Sequence, residues 1–210
     1  MLNLQTKFGK KAMQVGNWVL SLVTINFIWF LLSVPALFML LLLHSLPLGS
    51  VYLATLLIVV VMLLLLVLPA TAAVFQAAYA WARDQGSSYG RQTFAGYLVG
   101  LKNWRQNSLL AALIGVWLLA EKVVQQQVFW QTLLLVLGFF LMAAVLLVAA
   151  SGISQVSGLQ LALQQPFKLI AVTILTLSLF LLNTALPLLF CIVLLSMSGS
   201  AWLMIKIMKL

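Results

Sequence analysis

"VYLATLLIVVVMLLLLVLPATAAVFQAAYAW", residues 51–81, carries no charged side chain from one end to the other. A helix needs about 20 mostly apolar residues to cross a bilayer. This run exceeds that and contains Pro69, so it reads as one tilted or kinked crossing rather than two. The whole chain shares its character: 65% of the 210 residues are hydrophobic and 6% charged. Soluble domains carry roughly 25% charged residues. A water-soluble surface cannot be built from this supply, whereas lipid can cover the excess apolar area. The chain is therefore expected to be all-α, a polytopic membrane helix bundle forming a single transmembrane domain over residues 1–210.

Working outward, the expected spans are 17–43, 51–81, 109–124, 128–151, 169–185 and 186–205. The first also holds a proline, Pro35. Its basic start (Lys7, Lys10, Lys11) resembles a signal peptide superficially, but the run reaches Leu43, beyond a 7–15-residue signal core. It reads as a retained span. The last two are divided at "NTALP" (Asn183 to Pro187), because Asn favours turns and Pro cannot continue the preceding helix without loss. A single long broken helix over 169–205 is the rival. Charge arbitrates. Six spans with a cytoplasmic N-terminus place Lys7, Lys10, Lys11, Arg83, Arg91, Lys102, Arg105, Lys168, Lys206 and Lys209 inside. Lys122 alone falls outside, as the positive-inside rule requires. Five spans would move Lys206 and Lys209 outside. The net charge of +9 thus orients the chain in a bilayer. It forms no basic stripe on a soluble face, so nucleic acid is not an expected partner.

Two polar intervals on the basic side read as amphipathic interfacial helices, 91–106 and 154–166. In the first, Phe94, Tyr97, Leu98, Leu101 and Trp104 share one face. Thr93, Gly96, Gly100, Asn103 and Asn107 share the other. In the second, Val156, Leu159, Leu163 and Phe167 share a face, with Gln155, Gln160 and Gln164 largely off it. At a shift of 62 residues Gly96 meets Gly158, Gly100 meets Ala162 and Leu101 meets Leu163, which suggests a parallel repeat of span, interfacial helix and span. The first sixteen residues also suit a short surface helix, with Leu4, Phe8, Ala12 and Val15 on one face.

Reactive side chains are scarce. The chain holds two carboxylates, Asp84 and Glu121, one histidine, His44, and one cysteine, Cys191. Asp84 falls on the basic side; Glu121 and His44 fall a membrane's width away, so the three cannot share a site. Asp84 beside Arg83 reads as a helix end or local ion pair, and Glu121 with Lys122 as an outer-end charge pair. His44 reads as an interfacial histidine. Cys191 excludes an intramolecular disulfide and reads as a small packed hydrophobe. No two-ligand metal spacing occurs, and "DQGSSYGRQ" lacks a P-loop's lysine pattern. Within the spans the polar residues are neutral. Asn26 and Gln76 are expected to hydrogen-bond to neighbouring helices, at about 0.6 kcal/mol each. The functional alternative is that Asn26, Gln76 and Asn183 line a path for a neutral solute such as a sugar.

Four segments, "NFIWFLLSVPAL" (26–37), "LPATAAVFQAAYAWARDQ" (68–85), "TFAGYLVGLKNWRQNSLL" (93–110) and "LLNTALPLL" (181–189), carry a family likeness. Asn26, Trp29, Ser33 and Pro35, then Pro69 with Ala70, Thr71, Ala72 and Ala73, correspond to its motifs, as do Phe94, Tyr97, Asn103 and Trp104 with an approximate aromatic spacing. Together they resemble the YesL-like family of small bacterial membrane proteins. In many members the Ser-x-Pro and Pro-Ala-Thr stretches are nearly adjacent, whereas here Phe38 to Val67 intervene. The resemblance implies a six-span inner-membrane protein encoded beside sugar-uptake transporters and polysaccharide-degrading enzymes. It supplies no catalytic residues.

The expectation is therefore a non-enzymatic protein, without cofactor or metal, that accompanies carbohydrate uptake. Its partners would be the bilayer and a sugar-transporter component, docked on the smooth face of Gly96, Gly100, Asn103 and Asn107. A transporter or channel for a small neutral solute is the alternative.

Overall fold

The computed structural model describes residues 7–83, 89–125, 127–153, 157–185 and 196–210, with side chains from residue 16 onward except those of residues 18 and 182–185. Every regular element among them is helical. Helix α1 runs Lys7–Ser45. Helix α2, Ser50–Met62, passes through a π-helical turn, Leu63–Val67, into α3, Leu68–Ala82. Then come α4 (Tyr89–Lys102), α5 (Trp104–Val123), α6 (Val128–Ser151), α7 (Gly158–Gln164), α8 (Pro166–Ala185) and α9 (Ser196–Met208).

Helix α1 is continuous. The surface helix expected before the first span is its first turns, and Pro35 lies inside it without ending it. Pro69 acts differently. It has no N–H, so the carbonyl four residues earlier, Leu65, loses its helical donor. The backbone widens there: the amide of Leu68 bonds to the carbonyl of Leu63, a π-helical spacing. The Leu65 carbonyl instead accepts from the Tyr97 hydroxyl of α4 at 2.9 Å.

That bond is part of a close antiparallel pairing of α3 with α4. A Cβ on Gly100 would lie 2.9 Å from the Pro69 carbonyl oxygen and 3.0 Å from its Cα. One on Gly96 would lie 3.2 Å from the Ala73 Cα. Lipid gives no hydrophobic reason for helices to associate, so small residues that let backbones touch supply the contact. Thr93, Gly96 and Gly100 are accordingly buried, while Phe94, Leu98 and Trp104 are exposed. The first expected interfacial helix is thus corrected. Helix α4 runs back along α3 and leads through a break at Asn103 into α5, because its glycine face fits the Pro69–Ala73 surface. The glycine face read as a docking surface is filled by the chain's own α3.

Alanine does the same elsewhere on α3. Ala70, Ala73, Ala77 and Ala78 are buried, and α3 packs on α1, α4, α6 and α9. One apolar core gathers around Val74, Phe75, Leu146, Val172 and Met204. A second, around Tyr52, Val59, Leu63 and Leu110, fills the space between α1, α2 and α5.

Three helical stretches are long and apolar enough to cross a bilayer: Val19–Ser45, Ser50–Ala82 and Val128–Ser151. Helices α7 and α8 would make a fourth if counted together across their 105° bend. The described residues do not supply six. Helix α5 opens on Trp104-Arg105-Gln106-Asn107 and closes on Glu121-Lys122, leaving about three apolar turns between. Helix α9 has 13 residues. The break expected at 183–187 meets α8, which continues to Ala185, and residues 186–195, with Cys191, lie outside the described residues.

The second interfacial helix is shorter than expected. Residues 154–156 lie outside the described residues, and α7 starts at Gly158 behind a capping box. The Ser157 hydroxyl accepts from the Gln160 amide, and the Gln160 side chain accepts from the Ser157 amide. Leu159, Leu163 and Phe167 are 73%, 74% and 84% exposed, while Leu161 packs inward. The expected repeat is not kept in space. Gly96 meets Ala73 midway along α3, whereas Gly158 meets Leu147 one turn from the end of α6.

The α3–α4 contact predicts that Gly100→Ala lowers stability by about 1–3 kcal/mol, because the clash is with backbone that cannot yield. Gly16→Ala, with nothing within 4 Å of the new carbon, should be neutral or stabilising. Thermal unfolding of the purified protein in mild detergent checks both.

Candidate functional site

The residues proposed to line a solute path occupy unlike places. Asn26 is completely buried. Its Oδ1 accepts from the amides of Met197 at 2.8 Å and Ser198 at 2.9 Å. These belong to the first turn of α9, whose amides have no partner within their own helix. Asn26 thus performs the task of an N-cap side chain from another helix. Gln76 is half-buried between α4 and the turn after α6, with its amide ends nearest Gly96 and Gly152. Asn183 sits in the last turns of α8, and its side chain lies outside the described residues. Among the described residues, neither Asn26 nor Gln76 lines any of the four main cavities.

Other polar groups at depth are also engaged. Trp29 Nε1 donates to Thr71 Oγ1 at 3.1 Å, and Thr71 Oγ1 donates to the Val67 carbonyl at 2.8 Å. This relay ties α1 to the end of the π-helical turn. Of the residues read as a docking face, Asn107 is buried and donates to the Gly100 carbonyl at 3.1 Å. It thereby serves the end of α4. Asn103 alone is exposed, at the break.

His44 and Glu121 share a small cavity of about 90 Å³ at one end of the bundle, with Tyr52 and Lys122. The Tyr52 hydroxyl donates to the Leu118 carbonyl at 3.1 Å. Lys122 does not simply pair with Glu121: its Nζ donates to the His44 carbonyl at 3.2 Å. Asp84 lies outside the described residues. Arg83 is the C-cap of α3, about 40 Å from His44 as measured along α1 from Asn17 at 1.5 Å per residue.

The largest of these cavities among the described residues lies at that opposite end and holds about 730 Å³. Helix α1 supplies Asn17, Leu20 and Ser21; the end of α3 supplies Tyr79, Trp81 and Arg83; α4 supplies Tyr89. Trp202, Lys206 and Lys209 enter from α9 and its C-terminal end. The Arg83 guanidinium stands over the Tyr79 ring at 4.4 Å, and the Lys206 ammonium over the Trp202 ring at 4.9 Å. Each cation follows its aromatic partner by four residues, one turn along the helix, so both side chains project to the same side. In the sequence these cations orient the chain, and Arg83 beside Asp84 marks a helix end. The Tyr-x-x-x-Arg and Trp-x-x-x-Lys spacings were the available signal. A third cavity, about 430 Å³, is an apolar groove between α5, α6 and α8.

The Asn26 contact predicts that Asn26→Leu strands two buried amides and lowers stability by about 2 kcal/mol or more. Asn26→Asp, which keeps an acceptor, should lose less. Chemical unfolding of the three proteins in one detergent reads the order.

No family model, no curated protein and no solved structure matches the chain.

Proposed function

We propose that the chain is a non-enzymatic accessory protein of a bacterial inner membrane, with both described ends cytoplasmic, that works beside a sugar transporter in carbohydrate uptake. One observation carries the accessory reading: four of the polar side chains at depth are consumed by the fold. Asn26 holds the start of α9, Trp29 and Thr71 hold the π-helical turn, and Asn107 holds the end of α4. The cavities containing charged residues lie at opposite ends, and the largest of them opens at the basic end. This supports a protein that binds at its surfaces over one that conducts through its middle. The carbohydrate assignment rests on the YesL-like resemblance, and the orientation on the basic end gathering Arg83, Lys206 and Lys209.

One observation favours the alternative, a transporter for a small neutral solute. The hydroxyls of Ser33, Thr176 and Ser198 are buried without a hydrogen-bond partner. Such groups are costly unless something meets them.

Affinity purification in mild detergent should recover a sugar-transporter component with the chain. Recovery of the chain alone, under conditions in which the transporter stays assembled, contradicts the accessory role. Uptake of labelled sugar by liposomes holding only this protein supports the alternative instead.

A further inference from the structure

We infer that the 730 Å³ cavity at the basic end binds a phosphate-bearing anion. Its volume lies within the roughly 300–1,000 Å³ of small-molecule sites. Three cations, Arg83, Lys206 and Lys209, line it. None forms an ion pair among the described residues. The chain has only two carboxylate side chains to offer. Glu121 stands at the far end of the bundle; Asp84, next to Arg83 and outside the described residues, and a main-chain carboxylate at Leu210, which also lines the cavity, can together offset two of the three positive charges.

Cations in excess of carboxylates, in a concave site with low-dielectric walls, attract an anion more strongly than the same charges on an open face. Two of them are steadied. The Tyr79 and Trp202 rings hold Arg83 and Lys206 against apolar faces, which limits the freedom these long side chains would lose on binding. A guanidinium presents a planar fork that matches two phosphate oxygens, and ammonium groups add point charges to a third. The Asn17 amide and Tyr89 hydroxyl add neutral polar groups. Leu20 and Ile205 give the cavity an apolar side, suited to the carbon skeleton that carries the phosphate. The shared chemistry is a phosphate monoester. Its carrier is either a lipid, reaching in from the bilayer, or a soluble metabolite.

The full chain in neutral detergent micelles is titrated with dioctanoyl phosphatidic acid, with glycerol 3-phosphate and with dioctanoyl phosphatidylcholine, and binding is read by calorimetry. The inference expects one of the two monoesters to bind about tenfold or more tightly than the zwitterionic lipid. Arg83→Gln/Lys206→Gln should weaken that binding about tenfold or more, since charge-assisted hydrogen bonds are lost. Arg83→Lys/Lys206→Arg should retain most of it. Lys102→Gln/Arg105→Gln, which removes two exposed cations outside the cavity, should leave it unchanged. Binding of glycerol 3-phosphate identifies a soluble ligand; binding of phosphatidic acid alone identifies a lipid headgroup. Thermal unfolding confirms that each variant is folded, and the charge-keeping pair reads the site if the glutamine pair is not. Equal binding of all three probes, or an equal loss in the Lys102/Arg105 variant, overturns the inference. Neither outcome bears on recovery of a transporter, so the two readings fail separately.

Discussion

Pro69 removes one amide from the interior of a long apolar helix, and the neighbourhood is arranged around the carbonyl it leaves behind. In hydrocarbon an unsatisfied backbone group costs several kcal/mol, since no water can answer it. The π-helical turn widens the backbone at Leu63–Val67, and the Tyr97 hydroxyl reaches the Leu65 carbonyl. For that hydroxyl to arrive, α4 must lie almost against α3, which is why Gly96 and Gly100 face Ala73 and Pro69. The same proline thus creates the need and presents the flat surface on which the answer rests.

The other helices are held by comparable means. Trp29 of α1 reaches Thr71 just beyond the proline, and Asn107 supplies the last turn of α4 where the chain breaks at Asn103. Alanines on α3 admit four helices around one axis. Chemistry that the interior does not consume collects at the ends, with cations and aromatic rings at one and His44 and Glu121 at the other.

Much of the frame was legible. The uncharged run at 51–81 marked α2 and α3 as one apolar unit, and 128–151 matches α6. The faces of α4 were also legible, but their destinations were not. Periodicity shows that a helix has two faces without saying which one meets protein. In water, Phe94 and Leu98 would turn inward; beside lipid they face out and the glycines turn in. The number of crossings was obscured by the polar stretch around Asn103, where α4 and α5 meet at a break rather than at a loop on the surface. Asn26 was expected to bond to a neighbouring helix, and its partner is the backbone of α9, a contact 171 residues away that no local pattern encodes. The aromatic–cation pairs needed only a search at one-turn spacing. Their convergence needed the fold.

The Asn26 contact also carries a schedule. Asn26 is synthesised with α1, and its acceptor oxygen meets Met197 and Ser198 only when α9 has been synthesised. At about 5–20 residues per second, ribosomes take roughly 10–30 seconds to cover that separation. Through this interval a polar amide waits in the membrane with its final donors not yet in existence. Closing that bond therefore waits on α9, and it fastens a helix made early to one made 171 residues later.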